Sequence, residues 1–211
     1  MPTRIKICGI TRVEDGLVAA RAGADAIGLV FAAKSPRRVS PEQAGAIAAA
    51  LPPFVTTVAL FVNPAEDDVR QVISRVRPDC LQFHGEETPD FCNAFGLPWL
   101  KAVRVKLGVD LLQFAAVYAG AQGLLLDAYS PVAHGGTGER FDWGLIPPGL
   151  SAPVVLAGGL APANVSEAVG MVRPWAVDVS SGVESTPGIK DAAKIAVFIE
   201  EVRNVDLQLS R

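Results

Sequence analysis

The chain has 211 residues, half of them apolar and 19% charged, with a net charge of −3. That length suits one large core, and the charge leaves no electrostatic footprint for nucleic acid or an anionic membrane. No window approaches the continuous apolar length of a membrane span, and residues 1–8 lack the apolar stretch of a signal peptide.

Short apolar runs alternate with helical patterns along the whole chain. Strands are expected at 4–8, 26–31, 57–62, 80–84, 100–105, 123–127, 153–157 and 176–180. Several are Leu-rich or β-branched without clean alternation, as strands are when helices cover one face and packed side chains fill the other. Helix starts are expected at two capping boxes, Thr11-x-x-Glu14 and Ser40-Pro41-Glu42-Gln43. Asn63-Pro64, Thr88-Pro89 and Ala161-Pro162 repeat the proline signal. The stripes Val69, Val72, Ile73, Val76 and Ile195, Ile199, Val202 have helical period. Eight βα units leave about 26 residues each, which is workable for a minimal (β/α)8 barrel. An open doubly wound sheet would call for a Gly-rich dinucleotide turn after its first strand, and Cys8-Gly9-Ile10-Thr11 lacks it. The expectation is a single barrel domain over 1–203, with 204–211 a frayed tail.

In such a barrel the C-terminal strand ends meet at one face, so residues distant in sequence converge there. Asp127 closes the run Leu124-Leu125-Leu126-Asp127, and Cys8 closes the first strand. A carboxyl and a thiol at two strand ends suit an acid and a base. Asp127 could equally cap a loop, but residues 128–143 are too long for a simple turn, and Gly135-Gly136-Thr137-Gly138 suggests a lid. On position alone Cys8 reads equally as a base or as a packed small hydrophobe, and as a base it would require nearby positive charge.

Gly158-Gly159 follows the seventh strand and Ser180-Ser181-Gly182 the eighth. Backbone with small side chains there can approach an anion closely, and the two loops together point to a phosphate site backed by a helix N-terminus. Arg37 could clamp a carboxylate or belong to a solvated basic loop. His84 could be a ligand, a base or a satisfied polar group. With His134 the only other histidine, a metal site is not expected. Lys6 and Asp178 lie two residues before Cys8 and Ser180. Strand alternation therefore allows an ion pair below the site as readily as two solvated charges. Cys8, Cys80 and Cys92 form an odd set without ligand spacing and read as free thiols in a reducing cytoplasm.

The motifs resemble phosphoribosylanthranilate isomerase from about residue 4 to residue 200. They include Lys6-Ile7-Cys8-Gly9-Ile10-Thr11, Ser35-Pro36-Arg37, Leu81-Gln82-Phe83-His84-Gly85-Glu86 and Ala157-Gly158-Gly159-Leu160. Gly135-Gly136-Thr137-Gly138 leading to Phe141-Asp142-Trp143, and Asp178-Val179-Ser180-Ser181-Gly182-Val183-Glu184, continue the set. The resemblance implies a cofactor-free Amadori rearrangement of N-(5-phosphoribosyl)anthranilate in tryptophan biosynthesis. It places the general base on Cys8, the general acid on Asp127 and the carboxylate-binding arginine on Arg37. Phosphate contacts fall on Gly158, Gly159, Ser180 and Ser181. The expected partner is a small phosphorylated substrate, bound by a cytoplasmic monomer or homodimer. The rivals are the analogous aminoaldose isomerase of histidine biosynthesis, a sugar-phosphate epimerase and a non-catalytic phosphate-binding barrel. The first would carry aspartates on strands one and six, where Cys8 stands in one of those places. The second lacks its His/Asp metal set, and the third would need neither Cys8 nor Asp127.

Overall fold

A computed structural model of the chain describes residues 1–128 and 142–210. Eight parallel strands close into a barrel: β1 (Arg4–Cys8), β2 (Ala26–Val30), β3 (Thr56–Phe61), β4 (Cys80–Phe83), β5 (Trp99–Val105), β6 (Gly123–Ala128), β7 (Val154–Leu156) and β8 (Ala176–Val179). Each strand pairs with the next, and β8 returns to β1 with Lys6 opposite Asp178 and Ile7 opposite Val179. All eight expected strands are present, with slightly shifted ends.

The strands are buried on both faces, which is why they read as apolar runs rather than alternating ones. Ile5 and Ile7 of β1 point outward into the main core, which they share with Ala19, Ile195, Phe198 and Ile199 of the helical layer. Their neighbour Cys8 points inward and packs with Val30 and Leu60. A second inner cluster, Ala102, Leu125, Val155, Ala157 and Ala176, fills the opposite side of the barrel. The interior is therefore a packed core that opens only at the strand ends.

The helices are α1 (Val13–Ala22), α2 (Pro41–Ala50), α3 (Glu66–Val76), α4 (Pro89–Asn93), α5 (Leu111–Val117), α6 (Val165–Val172) and α7 (Ala192–Leu209). The Ser40 box forms as expected, with the Ser40 side chain accepting from Gln43 N and the Gln43 side chain accepting from Ser40 N. Thr88 likewise caps α4, with Pro89 at its first position. The Thr11 box does not form. The Thr11 hydroxyl donates instead to Gly188 O at 2.6 Å, and Arg12 becomes the N-cap of α1 without a side-chain cap. Pro64 and Pro162 lie before their helices, which begin at Glu66 and Val165. Three carboxylates, Glu66, Asp67 and Asp68, occupy the first turn of α3, where the helix dipole favours negative charge.

Three further expectations are corrected. After β6 the described residues hold a 3-10 turn, Trp143–Leu145, rather than an α-helix. Between β8 and α7 lies an extra hairpin of β9 (Glu184–Thr186) and β10 (Ile189–Lys190), turned at Pro187-Gly188. Residues 204–209, expected to fray, are the last turns of α7: Val205 is buried, and Asp206 accepts from both Thr3 N and the Thr3 hydroxyl at 2.7 Å. The expected lid, with His134 and the glycines at 135, 136 and 138, lies outside the described residues.

Candidate active site

A cavity of about 470 Å³ opens at the C-terminal ends of the strands. It is lined by Cys8, Arg37, His84, Asp127, Gly158, Gly159, Ser180 and Ser181, so residues expected from eight separate positions do converge. Of the expected site residues only Gly182 does not line it.

Cys8 enters the cavity from β1 and is 5% exposed. Gly28 on β2 makes the room: a Cβ there would stand 2.7 Å from Cys8 Sγ and 3.1 Å from Lys6 Nζ. Lys6 and Asp178 form the buried ion pair that alternation allowed, Nζ to Oδ1 at 2.9 Å, which sets the ammonium on the thiol's side of the barrel interior. Burial nevertheless pushes the Cys8 thiol above its ordinary value, and Asp178 adds to the rise. Lys6 and Lys190 pull the other way without overcoming it. The cations expected around the thiol are present, but burial dominates. The other two thiols are set aside from chemistry. Burial pushes Cys80 up to about 11 and Cys92 up to about 12, and neither lines the cavity.

Asp127 enters from β6, also 5% exposed, with Oδ1 accepting from Ala128 N at 2.9 Å. Its Oδ2 stands 3.1 Å from His84 Nε2, and Gln82 Nε2 stands 3.1 Å from His84 Nδ1. Of the three roles open to His84 on sequence, the geometry is that of a polar group satisfied on both ring nitrogens, with the Asp127 carboxyl as one partner.

Arg37, in the loop after β2, is not a solvated basic side chain. Its Nε and Nη2 grip Glu184 Oε1 and Oε2, both at 2.7 Å, and the Arg37 side chain is 11% exposed. That fork leaves Nη1 uncommitted to Glu184 while fixing the guanidinium plane at the cavity wall. Lys190 Nζ adds a bond to Glu184 Oε1 at 2.9 Å and another to Ser180 O at 3.1 Å. Burial pushes the Glu184 carboxyl up, but hydrogen bonds from Arg37 and Lys190 outweigh it and hold the group below its ordinary range. For Lys190 burial wins and lowers the ammonium. Gly9 has φ +75°, and a Cβ there would run into the Arg37 side chain and approach Ser180 Oγ to 3.0 Å. Glu184, Lys190 and Gln82 carried no role in the sequence reading. The Pro187-Gly188 turn signal between two short polar-edged runs could have revealed the hairpin that delivers the first two.

The two loops expected to hold phosphate are built differently from each other. Gly158 and Gly159 both sit at positive φ, +81° and +65°, where a side chain would be strained. A Cβ on Gly158 would also collide with Ala128 N. Asn164 ties the turn together by donating to Gly159 O and accepting from Ala161 N, both at 2.9 Å. The following helix, α6, begins at Val165, after that turn. After β8, Ser181–Val183 forms a 3-10 turn, and Gly182 packs directly on Leu160 O. Gly182 therefore joins the two loops rather than facing the cavity.

Comparison with known proteins places this arrangement. The family described as N-(5'phosphoribosyl)anthranilate (PRA) isomerase matches residues 5–201. An N-(5'-phosphoribosyl)anthranilate isomerase of Pseudomonas fluorescens (strain SBW25) is 60% identical over 201 residues, covering 95% of this chain and 96% of its own. The crystal structure of phosphoribosyl anthranilate isomerase from Thermotoga maritima superposes with a TM-score of 0.89 at 43% identity, covering 96% of this chain and 99% of the other. A phosphoribosyl anthranilate isomerase in complex with reduced 1-(o-carboxyphenylamino)-1-deoxyribulose 5-phosphate matches at a TM-score of 0.85, also 43% identical, over 96% and 99% of the two chains.

Proposed function

The chain belongs to the N-(5'-phosphoribosyl)anthranilate isomerase family, and from that premise we propose that Cys8 and Asp127 divide the proton transfers of its reaction. The enzyme is an aldose–ketose isomerase of tryptophan biosynthesis, converting N-(5-phosphoribosyl)anthranilate to 1-(2-carboxyphenylamino)-1-deoxyribulose 5-phosphate. The observation that carries the division of labour is the opposition of a buried thiol and a buried carboxyl across one cavity, with an arginine and a double glycine turn on its wall.

The rearrangement balances in protons alone. Protonated Asp127 gives its proton to the furanose oxygen while the anthranilate nitrogen pushes open the C1–O bond, leaving a protonated Schiff base. The Cys8 thiolate takes the hydrogen from C2, giving a neutral enolamine. C1 then gains a proton and the C2 hydroxyl loses one, which forms the ketone. Two protons are delivered and two removed.

Burial raises the Cys8 thiol, and Lys6 and Lys190 oppose that rise, so these two cations favour the thiolate fraction that enters the step. The Schiff-base cation acidifies the C2 hydrogen that this thiolate removes. Arg37 holds the anthranilate carboxylate with the donors that Glu184 leaves open, while Gly158, Gly159, Ser180 and Ser181 hold the phosphate. These contacts are remote from C1 and C2, so they position the sugar without touching the bonds that change. The three free cysteines support a reducing, cytoplasmic location.

A steady-state assay of the loss of substrate fluorescence tests the assignment. Cys8→Ala and Asp127→Asn should each lose turnover by orders of magnitude and still bind the reduced product analogue. Near-wild-type turnover in Asp127→Asn would remove the acid role. Product binding without any turnover by the wild-type chain would favour a binding barrel instead.

A further inference from the structure

Asp127 does not enter the cavity alone. Gln82 and His84 lie two residues apart along β4 and its C-terminal extension, so both side chains face the barrel interior. Gln82 is fully buried, His84 7% exposed and Asp127 5% exposed. The chain of contacts runs from Gln82 Nε2 to His84 Nδ1 at 3.1 Å, then from His84 Nε2 to Asp127 Oδ2 at 3.1 Å.

An amide nitrogen can only donate, so the imidazole Nδ1 that faces it must accept. A neutral imidazole carries one N–H, and with Nδ1 accepting, that proton sits on Nε2. The second bond therefore runs from His84 to the Asp127 oxygen. The other end of the amide, Gln82 Oε1, is buried with no hydrogen-bond partner among the described residues, so Gln82 spends its one bond in this line on the imidazole.

We propose that Gln82 and His84 are positioning residues for the acid step: Gln82 fixes the Nε2–H tautomer of His84, and His84 stabilises the Asp127 carboxylate left behind when its proton passes to the furanose oxygen. The inference rests on the reading of Asp127 as the acid. Reversing the amide would make Nε2 an acceptor and favour the proton staying on Asp127, so the orientation decides whether the pair helps or hinders ring opening. A neutral donor suits the task better than a cation, because it holds the anion without enforcing it before substrate arrives. A hydrogen bond to a charged group is worth about tenfold to a hundredfold in an equilibrium. Among the described residues, the other charged or titratable groups facing this region are Arg104, in register with Asp127 on β5, then Cys8, Asp178 and Arg37 on the cavity wall, with Lys6 behind Asp178.

The direct test is nitrogen NMR of the imidazoles in the intact wild-type enzyme, where His84 and His134 are the only histidines. His84, identified by its loss in His84→Phe, should show a protonated Nε2 and an unprotonated Nδ1 at neutral pH. The Nδ1–H tautomer would overturn the proposal. Kinetically, His84→Phe should lower kcat about tenfold to a hundredfold with KM changed by less than about threefold. The alkaline limb of its kcat–pH profile should move to higher pH, because the carboxylate has lost its donor. Gln82→Leu should show a smaller change in the same direction, and a thermal melt checks that each variant is folded. An unchanged profile in folded His84→Phe would also overturn it. Full turnover in Asp127→Asn, with the expected tautomer still seen, would instead locate the failure in the acid assignment.

Discussion

Replacing Lys6 by methionine keeps most of the buried stem and removes only the charge. In the folded chain the Lys6 and Asp178 side chains are 5% and 9% exposed, with 2.9 Å between Nζ and Oδ1. Removing one member of such a pair leaves the other charge buried without its counter-ion and costs about 3–5 kcal/mol. For a domain of this size about 1 kcal/mol moves the melting temperature by ~2–4 °C, so a fall of roughly 6–20 °C is expected. Burial alone would lower the Lys6 ammonium, but Asp178 outweighs it and holds the group above its ordinary value. A raised folded value gives stability that is complete below the unfolded value, about pH 10, and is lost only as pH rises above it. The deficit of Lys6→Met should therefore be constant from pH 6 to 9 as far as this group is concerned. Urea melts across that range, with Asp178→Leu and the double variant, measure it. The double variant should recover much of the loss, since matched apolar replacements of buried pairs are often neutral. A single-variant cost below about 1 kcal/mol, or a double variant no better than the singles, would refute the reasoning.

Three further outcomes are expected. Gly158→Ala forces a side chain into positive φ against Ala128 N, and should cost about 1–3 kcal/mol and raise KM for the phosphorylated substrate; wild-type KM would show that the turn is not part of the phosphate site. Glu184→Gln loosens the Arg37 fork and should raise KM more than it lowers kcat. Because the Glu184 carboxyl is depressed in the folded chain, its contribution is present above the unfolded value and lost as pH falls through the folded one, so the variant should lose less stability than wild type as pH falls below the unfolded value of about 4.3. Alkylation of Cys8, mapped by mass, should be slow in the empty enzyme at pH 7.5 and accelerate above about pH 9; rapid labelling at neutral pH would contradict a thiol held protonated by burial.

Much of this molecule can be read from the chain because parallel barrels leave strong local marks. Runs such as Leu124-Leu125-Leu126 are buried on both faces, and the residue that ends each run is carried to the same rim. Cys8 and Asp127 could be placed by that logic alone. The features that escaped are those decided by distant partners. Arg37 and Glu184 are 147 positions apart, and no spacing announces a fork between them. Thr11 has the pattern of a cap, but Gly188 offers its hydroxyl a better-placed carbonyl from the far end of the chain. The last turns of α7 fall in the stretch expected to fray, although Val205 continues the stripe of Ile195, Ile199 and Val202. His84 was visible as a strand-end group, yet its tie to Asp127 depends on neighbouring rim positions in three dimensions.

The ion pair beneath Cys8 spans 172 positions, and this sets the order in which the enzyme can come alive. Within the barrel β1 is synthesised before β8, so Lys6 lies in water, and Cys8 on an open sheet edge, until the eighth strand docks. Until the final strand docks there is no cation held against the thiol, no Ser180 beside it, and no hairpin to bring Glu184 to Arg37. Thr3 is then locked to Asp206 of the last helix. The acid–base site is thus assembled only when β8 and the hairpin that follows it have closed the barrel.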